Sequence, residues 1–214
     1  MKGVARLREW VDRCVIGAAL CPFASEVRAR ENALQVRVER CEAQPALLDA
    51  ARADIAAISA GTGAESALLG IESGRSDFLR SFSDFLGAAV GVEALCEATR
   101  GTRCEVQLAV FHPLARASLM EHSKALAAML AAHEEAEWDM MHAPRVSSAD
   151  LAIRAPLPVF HFLRKADVTA AAQSFAGAEE IPARNRARLE LLARRGQLTE
   201  FERCLEMDPA CLET

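Results

Sequence analysis

EVQLAVFHP, residues 105–113, is the stretch from which the rest of the chain is read. Val106, Leu108 and Val110 alternate with Gln107 and Ala109. A period of two sets one apolar row along one face of an extended strand. His112-Pro113 closes it, because proline has no amide to offer a sheet ladder. It is the most apolar of the strand candidates, so it is expected at the centre of a sheet. With helical segments on both sides, a strand here makes the chain a layered sheet-and-helix protein.

Three other stretches read as strands. ALQVRVERC, 33–41, sets Leu34, Val36 and Val38 against Gln35, Arg37 and Glu39. ALLGI, 67–71, is a short continuous apolar run, and LPVFHFL, 157–163, is the last. Between them lie helical periods. Residues 4–19 carry Val4, Leu7, Val11, Val15 and Ala18 on one face, and Pro22 should end that helix. Pro45 opens a second helix that runs to Gly61. Ser76-Asp77 caps a third through Phe78, Phe82, Phe85 and Leu86; Gly87 and Gly91 leave its end open, with a second short helix over 92–98 as one reading. Residues 115–137 read as helical and 138–156 as irregular. Asp167 caps a helix at 168–175, and Pro182 opens one to about Arg195, with Gly196 just past its end. The expected fold is α/β (α+β): one layered domain over 1–196 with about four strands in a mixed sheet. A ferredoxin-like arrangement is one candidate. Residues 114–152 form an atypical helical and irregular insertion, and 197–214 a C-terminal tail adding one turn.

Composition sets the outer limits. The chain has 214 residues, enough for a sizeable core. Lys plus Arg is 25 and Asp plus Glu is 30, a formal charge of −5. Such a chain has no global pull on nucleic acid or anionic lipid. Seven cysteines, without CxxC spacing, fit a reducing, intracellular compartment (cytoplasm or an organelle matrix) better than a disulfide framework. No run approaches the ~18 apolar residues of a membrane span. Neither GxGxxG nor GxxxxGK[ST] is present, so no cofactor is expected. His122, His133, Glu134, Glu137 and His142 invite a metal reading. His122 lies three helical turns before His133, too far for one ion, and no HExxH supports zinc, so no metal is expected.

Four separated motifs share a common pattern: REWVDRCVIGAALCPFA at the start, QLAVFHP in the middle, APLPVFHFLR later and EIPARNRARLELL near the end. Together with LLGIESGRSDFLRSFSDFL at 68–86, they resemble the proteins grouped as domain-of-unknown-function family 1415. The resemblance implies an α/β domain whose recurrent polar residues, at or near strand ends, are here Cys21, His112, Arg154, His161, Arg164 and Asn185. It implies no established reaction. The chain departs from the family at 153–158, reading IRAPLP where NRSPYP is usual. Ile153, Ala155 and Leu157 stand in place of Asn, Ser and Tyr, and Lys165 in place of an acid.

The candidate chemistry follows from residue type. Cys21 is a nucleophile only if a positive field or a base lowers its pKa. At a helix C-terminus the dipole opposes that; at the N-cap of a new helix begun by Pro22 it helps. Otherwise Cys21 is a small packing residue beside Phe23, expected mostly buried. His112 and His161 are acid/base candidates, and Arg154, Arg164 and Asn185 are ligand-binding candidates for a carboxylate or phosphate. Two functions stay open. One is an enzyme-like protein with a Cys/His/Arg pocket for a small anionic ligand. The other is a non-catalytic subunit that keeps the domain as a scaffold. It would dock protein partners through 114–152, where Trp138, Met140, Met141 and Val146 cluster, and through the tail.

Overall fold

The computed structural model describes residues 2–61, 64–72, 78–79, 81–117, 146–174 and 180–206. Four strands form one mixed sheet: β1 Leu34–Arg40, β2 Ser66–Glu72, β3 Val106–Phe111 and β4 Val159–Arg164. Their order across the sheet is β1-β2-β4-β3. β1 and β2 are parallel, with Leu34 opposite Ser66 and Arg40 opposite Glu72. β4 runs antiparallel to both of its neighbours, β2 and β3. So β1, β2 and β3 point the same way. The chain makes one βαβ unit between neighbours, then a split one in which β4 separates β2 from β3. A split βαβ also occurs in ferredoxin-like folds, but their βαββαβ order of elements differs from the order here.

The alternation of each strand sorts its side chains onto two faces. On one face lie Ala67, Leu69 and Ile71 of β2, Phe160 and Phe162 of β4, and Val106 and Val110 of β3. Two helices cover this face: α3, Gln44–Ser59, and α4, Phe82–Glu97. Leu47, Ala51, Ile55 and Ile58 of α3 recur at helical spacing, and Pro45 sits in the first turn, where a missing amide costs nothing. α4 is capped by Ser81, whose hydroxyl accepts the Asp84 amide at 3.0 Å. It buries Phe82, Phe85, Leu86, Ala89, Val92 and Cys96.

The other face is covered by the two ends of the chain. α1, Lys2–Trp10, runs into a π-helical turn, Val11–Ile16. The short α2, Ala24–Ala29, follows. From the far end comes α5, Ser148–Leu151; α6, Lys165–Ser174, follows β4 and adds no residue to this core; then come α7, Ile181–Arg194, and α8, Thr199–Leu205. Leu7, Trp10, Val11 and Cys14 meet Leu151, Leu189, Phe201 and Cys204 over Leu68 and Val159. Gly70 makes the approach of α1 possible, since a Cβ there would lie 2.5 Å from Leu7 Cδ1.

Several expectations are corrected. β3 is an edge strand, not a central one: Gln107 is exposed and Leu108 and Ala109 are half-buried. The central β2 is buried from Ser66 to Ile71, the mark of a strand covered on both faces. The first helix stops at Ile16 rather than at Pro22, and Ala19 turns the chain with φ +49°. The third helix starts at Phe82, because Leu79 takes φ +60°. It then continues unbroken through Gly87 and Gly91, so there is no separate helix at 92–98. α5 forms a helical turn inside the stretch read as irregular. The helix expected at 168–175 begins directly after β4, at Lys165. The tail yields two turns whose Phe201 and Cys204 are core. Ser76-Asp77, most of the 114–152 segment with Trp138, Met140, Met141 and the His122/His133/His142 group, and 207–214 lie outside the described residues.

Candidate functional site

Because β1, β2 and β3 share a direction, their carboxyl ends meet at one edge of the sheet, where β4 begins. Open α/β sheets place ligand crevices at such an edge. A cleft of about 520 Å³ lies there. Arg40 and Glu72 end β1 and β2; His112, Pro113 and Leu114 follow β3; Pro156, Leu157 and Pro158 precede β4; Ile71 and Leu79 supply the apolar floor. Arg40 and Glu72 are register partners on parallel strands, so both charges come from one rung. Arg40 makes a long ion pair with Glu42, 3.8 Å, and remains well exposed.

His112 builds the wall of this cleft. The Leu114 amide donates to Nδ1 at 3.1 Å, so the ring proton sits on Nε2, which donates to the Leu79 carbonyl at 3.0 Å. The imidazole packs on Phe85 and Phe82, with ring centroids 4.9 and 5.5 Å away. Its backbone amide bonds the Ile153 carbonyl at 3.4 Å, tying the post-β3 loop to the 146–158 segment. Arg154 reinforces that tie: its guanidinium is buried, and Nε donates to the Ala115 carbonyl at 3.1 Å. Asp150 does the same. Its carboxylate accepts from the Ala117 amide at 2.7 Å, the Ser147 amide at 3.0 Å and Arg116 at 3.1 Å.

The other candidate residues lie elsewhere. His161 points to the opposite face of the sheet from His112, between Leu68 and Ala109 in register. Its ring lies 6.5 Å from Phe111. Its Nε2 is sealed and has no hydrogen-bond partner among the described residues, and burial pulls its pKa down to about 4. Arg164 is at the far end of β4, opposite Val106, where it bonds the Ala64 carbonyl at 3.2 Å. Val106 to His112 is six residues, about 20 Å of strand, so one small ligand does not touch both Arg164 and His112. Cys21 is half-buried in the link between the π turn and α2, and its carbonyl accepts the Ala24 amide at 3.3 Å. It is neither the end of the first helix nor the N-cap of the next, which is Phe23. Asn185 holds this link, donating from Nδ2 to the Leu20 carbonyl at 2.7 Å, and Arg184 bonds the Ala19 carbonyl at 3.3 Å.

The six residues therefore fall into four places: His112 with Arg154 at the carboxyl edge, Cys21 with Asn185 at the link, His161 inside, and Arg164 at the amino edge. Sequence reasoning missed Arg40, Glu72 and Asp150. The spacing Ser147-x-x-Asp150 is a capping-box signature, and both reciprocal bonds form. Arg40 and Glu72 had only their place at strand ends to mark them. Ile153 packs with the α3/α4 core, and Ala155 and Leu157 with the core of the other face, so the departures from the family pattern fill apolar space. Among the described residues no group of three or more His, Cys, Asp or Glu could hold a metal ion. No helix among them is long and apolar enough to cross a membrane.

A family described as protein of unknown function (DUF1415) matches residues 2–125 and 115–198 of the chain. No curated protein and no solved structure matches it.

Proposed function

Starting from the fact that the chain belongs to the DUF1415 family, proteins of unknown function, we propose that it is an enzyme-like α/β protein that binds a small anionic ligand in the cleft at the carboxyl ends of β1, β2 and β3. The supporting observation is the pairing of Arg40 with Glu72 on one rung at the mouth of a cleft walled by His112 and three prolines. Arg40 is the group that receives a carboxylate or phosphate, with a planar fork suited to both. Glu72 accepts a hydroxyl or ammonium proton from the same ligand. His112 and Arg154 act as positioning residues, because their hydrogen bonds fix the loops that line the cleft. Cys21, Asn185, His161 and Arg164 stand outside the cleft in this reading and serve the fold.

Titration calorimetry with inorganic phosphate and with succinate, at matched ionic strength, tests it. One of the two should bind, and Arg40→Ala should weaken that binding at least tenfold, a loss of about 1.4 kcal/mol or more. The thermal midpoint should stay put, since exposed substitutions are usually within ~0.5 kcal/mol. Binding that ignores Arg40→Ala would move the ligand elsewhere. The non-catalytic subunit is the second reading. It draws support from Leu157, which lines the cleft with an apolar side chain that offers a ligand no polar group. Affinity purification of the native protein that returns a stoichiometric partner would favour it.

A further inference from the structure

Cys14 in the π turn and Cys204 in α8 are 190 residues apart in sequence and are both buried in the core. The Cys14 thiol lies 3.7 Å from the Glu200 carbonyl, one turn before Cys204 in α8, which sets the two cysteine side chains side by side in the same core cluster. Both thiols are free, and no disulfide occurs among the described residues. Three ion pairs surround them: Arg13 to Glu200 at 3.0 Å, Arg203 to Glu9 at 2.9 Å, and Arg6 to Glu206 at 2.9 Å. They tie α8 and its end to α1 and the π turn beside the two thiols. Cys204 lies beyond residue 198, where the match to the family ends.

We propose that Cys14 and Cys204 are a latent disulfide pair that joins the C-terminal helix covalently to the π turn when the protein meets a low-molecular-weight disulfide. In the first step one protein thiolate attacks the small disulfide, forming a mixed disulfide and releasing one small thiol. In the second the other protein thiolate displaces the second small thiol and the protein S–S bond forms. Two electrons and two protons pass from the cysteines to the small disulfide. The docked state protects the pair. Burial pushes the Cys14 thiol well up, and the neighbouring Cys204 and Glu200 push the same way. Attack therefore waits for α8 to lift, and redocking brings the sulfurs together. The ion pairs that tie α8 down are partly exposed and add little to the cost of lifting it, which is set mainly by the buried Phe201 and Cys204.

The test uses the full chain, reduced and then incubated with oxidised glutathione. Intact mass should fall by two hydrogens with no glutathione retained, and digestion without reductant should yield one cross-linked peptide joining Cys14 to Cys204. The thermal midpoint of the oxidised chain should rise by roughly 5–10 °C, as expected for a long loop closed in a chain of this size, and reductant should reverse the rise. Cys204→Ala, a second variant, should lose the cross-link and the rise together. Stable glutathionylation at Cys21 with Cys14 and Cys204 still reduced would overturn the proposal. So would a cross-link map that joins other cysteines instead.

Discussion

The two faces of the sheet are built in different ways. The α3/α4 face is built mainly from consecutive pieces of chain, β1-α3-β2-α4-β3, and its buried Asp54, Thr99 and His112 are matched, while the Ser59 hydroxyl of α3 finds no partner among the described residues. Asp54 is held by Arg37 at 2.8 Å, and the Thr99 hydroxyl accepts the Val106 amide at 2.8 Å. His112 is bonded at both ring nitrogens. The α1/α7/α8 face is assembled from the first and last parts of the chain. It carries the π turn, the neighbouring thiols, the asparagine clamp on the Cys21 link, and His161 with an unmatched nitrogen. The first face pairs its buried charges and hydroxyls at short sequence distance, whereas the second joins distant segments and carries most of these irregularities. Histidine shows the difference most directly, since one sits on each face.

Four measurements can break or sharpen that contrast. The largest effect is expected at Phe85, fully buried between His112 and Phe160 with a centroid distance of 5.0 Å to the latter. Phe85→Ala should cost about 3–5 kcal/mol in urea unfolding; a loss below about 1 kcal/mol would mean this face is not the rigid one. The second effect concerns pH. His161 titrates near 4 in the folded chain and near 6.5 when unfolded. Its contribution is present above pH 6.5 and is lost as pH falls, because the unfolded chain takes up the proton first. Between pH 7 and 4.5 the loss should be about 2.5 kcal/mol, seen as the difference between the native chain and His161→Leu in stability against pH. Parallel curves would show that the ring is hydrated.

His112→Phe comes next. It keeps the stacking but leaves the Leu79 carbonyl and the Leu114 amide without their partner, at a cost of about 2 kcal/mol near neutral pH. His161→Leu at the same pH loses no hydrogen bond and should change stability by under ~1 kcal/mol. If the two substitutions cost the same, the contrast between the faces fails. The smallest effect is at the Cys21 link. Asn185→Ala removes the donor to Leu20 and should cost about 1 kcal/mol, while raising the rate of Cys21 alkylation by iodoacetamide several-fold. An unchanged rate would show that the link is held without Asn185.

Strand positions were legible because alternation survives in single strands: β1 and β3 fall where Val36/Val38 and Val106/Leu108/Val110 put them. Strand order was not. The apolar alternation of β3 reads as central, yet the continuous burial of β2 is the stronger sign of a covered strand, and ALLGI carried it. Part of the site was legible and overlooked. His161 and Arg164 differ by three positions in one strand, so period two already sets them on opposite faces. Other parts left no trace. No residue type marks a π turn, and Cys14 and Cys204 share no spacing that links them before the chain is folded. Nor could Leu79 be seen as the partner of His112, because that bond depends on a left-handed residue in a loop.

The order β1-β2-β4-β3 also has a consequence for how the chain is made. Among the described strands β3 pairs only with β4, and β4 is the last of them to be synthesised. Until residue 164 has emerged, β2 keeps an open flank and β3 has nothing to pair with. A nascent chain therefore carries unpaired ladder edges through the synthesis of some fifty residues after β3, about 3–10 s at ordinary elongation rates. Open edges of this kind invite pairing with another chain. A shortened product ending before β4 should be recovered from cells as aggregate, however complete its first two helices and strands.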